Sequence, residues 1–180
     1  MIYLGIDTSC YTTSVAAVSE SGSIICEARK LLNVPEGQRG LRQSEAFYQH
    51  VNALPDLYEK VIQKIENRPL KAIAVSAHPR GCAGSYMPVF YAGVRMAEMI
   101  AKTAGVPLYQ TDHQQGHIVA ALSNAGLDFN NFLAVHLSGG TTEVLAVTGA
   151  APRLKCKILY GTSDISAGQL IDRVGVAMGF

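Results

Sequence analysis

Two histidines four residues apart, in Asp112-His113-Gln114-Gln115-Gly116-His117, have the residue types and spacing of a metal site. On a helix that interval stacks both imidazoles on one face, near enough to share one ion. The chemistry would be that of a Lewis acid. A zinc protease needs a glutamate directly after the first histidine to activate water, and Gln114 stands there instead, neutral at any working pH. His113 and His117 are therefore expected to supply two of three or four ligands, the remainder lying elsewhere. The plainer alternative is a first helical turn in which one imidazole caps and the other lies on the surface.

A second candidate is Ser138-Gly139-Gly140-Thr141-Thr142, between two apolar runs. Consecutive glycines let backbone N–H groups approach an anion, and the hydroxyls add donors, so a phosphate or nucleotide tail would fit. Taken alone, the motif reads first as a glycine-containing hairpin turn. Asp7-Thr8-Ser9 is its twin near the N-terminus, and the pair resembles the small-polar hairpins with which sugar kinases, actins and Hsp70 chaperones clamp phosphates. Asp172, after Gly168-Gln169-Leu170-Ile171, could accept from ribose hydroxyls or be a surface acid beside Arg173. His50 and His78 have no partner in sequence, and His136, in an apolar run, is expected to be a hydrogen-bonded core histidine. The eight tyrosines are too dispersed for a stacking surface and are expected mostly in core or edge packing.

These side chains need elements to position them. Ile2 to Asp7, Ser14 to Val18 and Ser23 to Lys30 read as an antiparallel meander, with Glu20-Ser21-Gly22 as one turn. From Gln43 to Ile65 apolar residues recur at three- and four-residue intervals, which predicts a helix that Pro55 kinks or breaks and Asn67-Arg68-Pro69 ends. Ala72 to Ala77 is a strand buried on both faces, followed by a loop from His78 to Ser85 and a helix from Pro88 to Thr103 capped by Gly105. Val106 to Gln110 predicts a strand, and the histidine pair opens a helix that reaches Leu122 and stops near Gly126. Phe132 to Leu137 and Glu143 to Thr148 are strands again, and Ala167 to Gly179 is helical by period. The strand, small-polar turn, strand theme recurs after about 130 residues, which predicts a duplicated architecture with lobes at 1–128 and 129–180. About fifty residues are too few to close a second sheet on its own core, so the chain is expected to be truncated.

The hydrophobic fraction of 48% and charged fraction of 16% in 180 residues describe a folded globular chain. A net charge of +1 creates no field that would attract nucleic acid by itself, so RNA contact would need patches such as Arg29-Lys30 or Arg39 with Arg42. Cys10, Cys26, Cys82 and Cys156 are scattered, as expected of reduced thiols in a cytoplasmic protein. No secretory pattern is expected at the N-terminus, and Met87 to Ala101 is too short and too charged to span a bilayer.

Four motifs in order carry a resemblance: Leu4-Gly5-Ile6-Asp7-Thr8-Ser9-Cys10, Asp112 to His117, Leu137-Ser138-Gly139-Gly140-Thr141-Thr142 and Ala167-Gly168-Gln169-Leu170-Ile171-Asp172-Arg173. Together they resemble the family once called glycoprotease or M22 peptidase, whose best-known members are the tRNA threonylcarbamoyl-adenosine transferases, TsaD in bacteria. The resemblance implies an α/β actin-like ATPase (ribonuclease H-like) lobe with a mixed sheet, plus the opening hairpins and helix of a second lobe. It implies one divalent metal, iron or zinc, on His113 and His117, with an aspartate from a more distant part of the family sequence as third ligand. It implies an adenylate or ATP-like ligand held by His136, Leu137, Ser138, Gly139 and Gly140, with Asp172 on the ribose. It further implies tRNA met through a complex, a homodimer or family heterodimer, and no membrane. The chain departs from the family pattern in three places. Tyr11 and Thr12 replace an Asp-Glu pair important to transfer, Thr141 replaces a histidine, and His78-Pro79-Arg80-Gly81 replaces a Gly-Pro-Gly loop. Those departures leave a second reading beside the transferase, a non-catalytic paralogue serving as a binding or scaffold subunit. Peptidase activity rests on the old family name, and Gln114 argues against it.

Overall fold

The computed structural model describes residues 1–35, 40–66, 68–127, 130–149 and 154–179. The chain divides into two compact units, Met1–Gly116 and His117–Phe180. The lobe boundary expected at residue 128, the Asn67 end of the first helix and the Arg39 part of one basic patch lie outside the described residues.

The first unit is built on a five-stranded mixed sheet in the order β3-β2-β1-β4-β5. β1 (Ile2–Asp7), β2 (Thr12–Ser19) and β3 (Ile24–Leu31) form the expected antiparallel meander, while β4 (Leu70–His78) and β5 (Leu108–Asp112) add parallel to it. Alternation buries Ile2, Leu4 and Ile6 of β1 and Val15 and Ala17 of β2 on one face. Against them pack α1 (Gln43–Lys64) and α2 (Phe90–Ala104), through Leu54, Leu57 and Val61 and through Ala97, Ile100 and Ala101. β4 buries Ala72, Ile73, Val75 and Ser76, but Ala74 in the middle of the run is exposed and Ala77 half-buried, so the strand expected to be buried on both faces is fully covered only on the face of Ile73 and Val75.

Two expectations are corrected in this unit. Pro55 does not break α1, which runs 22 residues through it. The carbonyl that Pro55 cannot reach belongs to Val51, and both residues are on the exposed face, where a missing helical bond is least costly because the carbonyl is open to solvent. β5 is also displaced two residues from Val106–Gln110. Pro107 has no N–H for the ladder and serves only as an acceptor, its carbonyl taking Ile73 N at 3.0 Å, so regular pairing starts at Leu108 and carries through Asp112.

α3 (His113–Ala125) begins in the first unit, and the boundary falls between Gly116 and His117. The second unit has a three-stranded antiparallel sheet, β6 (Asn131–Leu137), β7 (Thr142–Thr148) and β8 (Lys155–Gly161), followed by α4 (Ala167–Ala177). Its core is small: Ile118, Leu145, Val147 and Leu154, with Leu122, Phe132, Ala134 and Cys156 around them. This meander repeats the β1–β3 arrangement. β8 is a strand the sequence pattern did not reveal, because Lys155 and Lys157 alternate with only Cys156 and Ile158 before the exposed Leu159 and Tyr160. No helix among the described residues is long and apolar enough to cross a membrane.

Candidate functional site

Because β1, β4 and β5 are parallel, their C-terminal ends fall on one edge of the sheet, and those ends are Asp7, His78 and Asp112. Asp112 is 1% exposed and caps α3: its Oδ1 accepts from Gln115 N at 2.8 Å, while Pro79 O accepts from Gln114 N at 3.1 Å. These first-turn amides are thus satisfied and His113 is fixed as the first residue of the helix. Asp112-x-x-Gln115 has the spacing of a capping box, a local signal visible in sequence.

His113 Nδ1 lies 2.9 Å from Asp7 Oδ2. An ionised carboxylate can only accept, so Nδ1–H is the donor. Ser9 N donates to the other oxygen, Oδ1, at 2.8 Å. Burial pushes Asp7 up, but the hydrogen bond and charge of His113, with Ser76 and Ser9, more than offset it and hold the group well below the usual carboxylate range. The loop behind Asp7 is locked by Thr8, whose buried Oγ1 donates to Val89 O at 2.9 Å and accepts from Gly93 N at 3.2 Å. Cys10 follows at φ 39°, in the left-handed region. Burial, then the Asp7 charge, pushes its thiol up, which keeps the sulfur protonated and weakly nucleophilic.

This donor chemistry fits a metal. In a neutral imidazole a proton on Nδ1 puts the lone pair on Nε2, the atom a metal takes, and a carboxylate behind the ring is the usual partner of a ligating histidine. His117 follows one turn later on α3. Among the described residues no cluster of three His, Cys, Asp or Glu side chains forms a ligand set.

The second unit organises its Ser-Gly-Gly turn around Ser138. The Ser138 hydroxyl oxygen accepts from Thr141 N at 2.9 Å and Gly140 N at 3.3 Å, and Ser138 N donates to Thr141 O at 2.8 Å. From the other side α4 braces the turn. Its N-cap Ser166 donates through Oγ to Gly139 O at 2.7 Å, Ala167 N donates to Thr142 Oγ1 at 2.7 Å and Gly168 N to Ser138 O at 3.2 Å. Gly168 has to be glycine, since a Cβ there would lie 2.6 Å from Gly139 Cα. Among the described residues, no atom lies within 4 Å of a Cβ built on Gly139 or Gly140, which leaves room at the crest of the turn.

Of the remaining expected residues, His136 is half-buried and not a core histidine. It shares a face of β6 with Phe132 and Ala134, bonds Thr141 Oγ1 at 3.4 Å, and its ring centroid is 5.7 Å from that of His117. Leu137 is 61% exposed, and Asp172 is exposed on α4. The buried histidine is instead His50, whose Nδ1 meets Thr13 Oγ1 at 2.8 Å. Tyr11, Tyr48, Tyr86, Tyr91, Tyr109 and Tyr160 are exposed, contrary to the expectation of mostly core or edge packing. Arg29 is paired with Glu27 at 3.4 Å, which weakens the Arg29-Lys30 patch. The four cysteines are free thiols. Ser166 and Thr142 as braces of the turn, and Asp7 as the partner of His113, are roles the sequence pattern did not reveal; only the Ser166-x-x-Gln169 spacing before a helix signalled the first.

Residues 29–180 match the family described as tRNA N6-adenosine threonylcarbamoyltransferase. Curated relatives with that name include proteins of Neorickettsia sennetsu, 28% identical over 179 residues, and Desulfitobacterium hafniense, 32% identical over 180 residues. These alignments take in 99% and 98% of this chain but 51% and 50% of the relatives, so the chain spans about half the length of the curated relatives it matches. Among solved structures, YeaZ from Pseudomonas aeruginosa superposes with a TM-score of 0.57 at 13% identity, over 87% of this chain and 64% of that one. The ethanolamine utilization protein EutJ from Carboxydothermus hydrogenoformans does so with 0.56 at 17% identity, over 99% and 57%. Both support the actin-like ATPase fold that the mixed sheet and repeated meander express. With the family match running through the histidine pair, the braced Ser-Gly-Gly turn and α4, the chain belongs to the tRNA N6-adenosine threonylcarbamoyltransferase (TsaD) family.

Proposed function

We propose that this protein acts in threonylcarbamoyl transfer to a tRNA adenosine, binding one divalent metal, iron or zinc, through His113 and His117 and an adenylate on the Ser138-Gly139-Gly140 turn. The observation that carries the reading is the turn itself: among the described residues its two glycines face open space, while two hydrogen bonds from the start of α4 hold its backbone carbonyls and a third holds the Thr142 hydroxyl. A preorganised backbone of this kind stabilises phosphate charge without rearranging. The metal would polarise the carbamoyl carbonyl of the donor. Within the second unit the adenylate phosphate would rest on the turn, with His136 and Leu137 leading into it along β6 and Asp172 offered to the ribose. Transfer to tRNA would run in a complex, with this chain as a homodimer or in a family heterodimer.

The non-catalytic paralogue is the second reading, favoured by Tyr11, Thr12 and Thr141 in the places of family acids and a histidine. Tyr11 and Thr12 join β2 to β3, with Tyr11 O accepting from Leu32 N at 2.8 Å and Thr12 paired with Leu31, and neither side chain is a carboxylate that could serve as the acid expected for transfer. Titrations of the chain with zinc and with AMP test the binding claims common to both readings. The His113→Ala, His117→Ala variant should lose zinc uptake and keep AMP, and Gly139→Val should lose AMP by about tenfold or more and keep zinc. Zinc uptake unchanged by the double substitution would remove the metal site, and AMP affinity unchanged in Gly139→Val would remove the adenylate site. Transfer assays with tRNA and partner proteins, repeated after Tyr11→Asp, Thr12→Glu, separate transferase from scaffold.

A further inference from the structure

We propose that Asp7 is a positioning residue for His113, fixing the orientation and tautomer of its ring so that Nε2 carries the lone pair toward the metal. The inference rests on the reading of His113 as a ligand. Asp7 and His113 are separated by 106 positions, and they meet because parallel β1 and β5 flank β4 and end on the same edge of the sheet. Each carboxylate oxygen already accepts a hydrogen bond, Oδ1 from Ser9 N at 2.8 Å and Oδ2 from His113 Nδ1 at 2.9 Å, so the group is held as the acceptor that orients the ring. Its place is rigid at both ends. Asp7 is the last ladder residue of β1, opposite Ser14, and the next residue, Thr8, is pinned to Val89 and Gly93 at the start of α2. On the other side, Asp112 caps α3 and holds the His113 backbone, and the Phe90 ring lies edge-on to the imidazole with centroids 6.2 Å apart. The ring is therefore held by a charge-assisted bond at Nδ1, an aromatic edge and a capped backbone. Such outer-shell carboxylates typically raise metal affinity about 10–100-fold.

The test uses the chain labelled with 15N-histidine, under mildly alkaline conditions and without metal. The His113 resonances should show a protonated Nδ1 and an unprotonated Nε2, and Asp7→Asn should shift that population. In competition with a chelator, Asp7→Asn and Asp7→Ala should bind zinc about 10–100-fold more weakly than the unsubstituted chain, with His113→Ala as the reference for complete loss of the ligand. A protonated Nε2 in the unsubstituted chain overturns the assignment. So does zinc affinity unchanged in both Asp7 variants when His113→Ala lowers it, a result that leaves the metal reading intact. Zinc affinity indifferent to His113→Ala would instead defeat the metal reading, and the tautomer would then decide for or against Asp7 alone. The spectrum of the unsubstituted chain settles the tautomer even if an Asp7 variant fails to fold.

Discussion

Gly168→Ala and Gly175→Ala place the same methyl group on the same helix and should change stability in opposite directions. At Gly168 the new Cβ would lie 2.6 Å from Gly139 Cα, 2.7 Å from Ser138 O and 2.8 Å from Gly139 N, all backbone atoms that no rotamer change can move. α4 must back away from the turn. Doing so breaks Gly168 N to Ser138 O at 3.2 Å, Ser166 Oγ to Gly139 O at 2.7 Å and Ala167 N to Thr142 Oγ1 at 2.7 Å. At about 1 kcal/mol net per bond the loss is about 3 kcal/mol, of which the better helix propensity of alanine returns at most about 1. The net cost is about 2 kcal/mol. At Gly175 no atom of the described residues lies within 4 Å of the built Cβ, so only the propensity gain of about 0.5–1 kcal/mol remains. Amide hydrogen exchange over residues 138–142 and the first turn of α4 measures this directly. A cost of about 2 kcal/mol is about 30-fold faster exchange in Gly168→Ala, against equal or slower exchange in Gly175→Ala. AMP affinity should fall with Gly168→Ala alone. Exchange in Gly168→Ala within about threefold of the unsubstituted chain would show that the turn does not depend on α4, and a phosphate site preorganised by that helix would be ruled out with it.

Two further perturbations probe the first unit. Thr8→Val keeps the side-chain shape but removes the donor to Val89 O and leaves buried Gly93 N without that acceptor, so urea unfolding should show a loss of about 2–3 kcal/mol; a change below about 0.5 would mean the lock contributes nothing. His50 should make the protein acid-sensitive. Burial pushes its imidazole below the ordinary 6.5, while the nearby Cys10 carbonyl, short of hydrogen-bond geometry, and the Asp7 charge pull weakly upward. With the folded value depressed, the unfolded chain binds more protons as pH falls below 6.5, so stability rises with pH in that window and is lost on acidification. His50→Gln, which cannot titrate, should flatten the stability profile between about pH 5 and 6.5. An unchanged profile would refute the assignment.

Periodicity made most of the first unit legible, because β1, β2, α1 and α2 each bury one face. Ile2, Leu4 and Ile6 alternate, and Leu54, Leu57 and Val61 keep helical intervals, so strand and helix declare themselves locally. The failures have local causes as well. The apolar run that contains Pro107 drew β5 two residues too early, because hydrophobicity says nothing about which residue can donate to a ladder. β8 escaped because it is an edge strand, where side chains need not alternate for burial and the register shifts between Val144 and Leu145.

The site shows a different limit. The residue types were legible, but the reason for each was not, because identical residues answer to opposite constraints. Gly139 and Gly140 face open space, as backbone that must admit a ligand would, whereas Gly168 faces a wall of backbone and is required by packing alone. Asp112 and Asp7 are both carboxylates that hold the first histidine in place, yet Asp112 bonds an amide of its own helical turn, and Asp7 reaches its partner across 106 positions. A capping aspartate can be read from spacing, since its acceptor and donor lie within one turn. The Asp7–His113 pair can be read only once the strand order β1-β4-β5 is known, because that parallel order alone puts the two ends on one edge. Substitution should separate the classes in the same way. Changes at Asp112 or Gly168 should alter local stability first and ligand affinity through it, whereas Asp7→Asn should lower metal affinity in a chain whose exchange protection at α3 is retained.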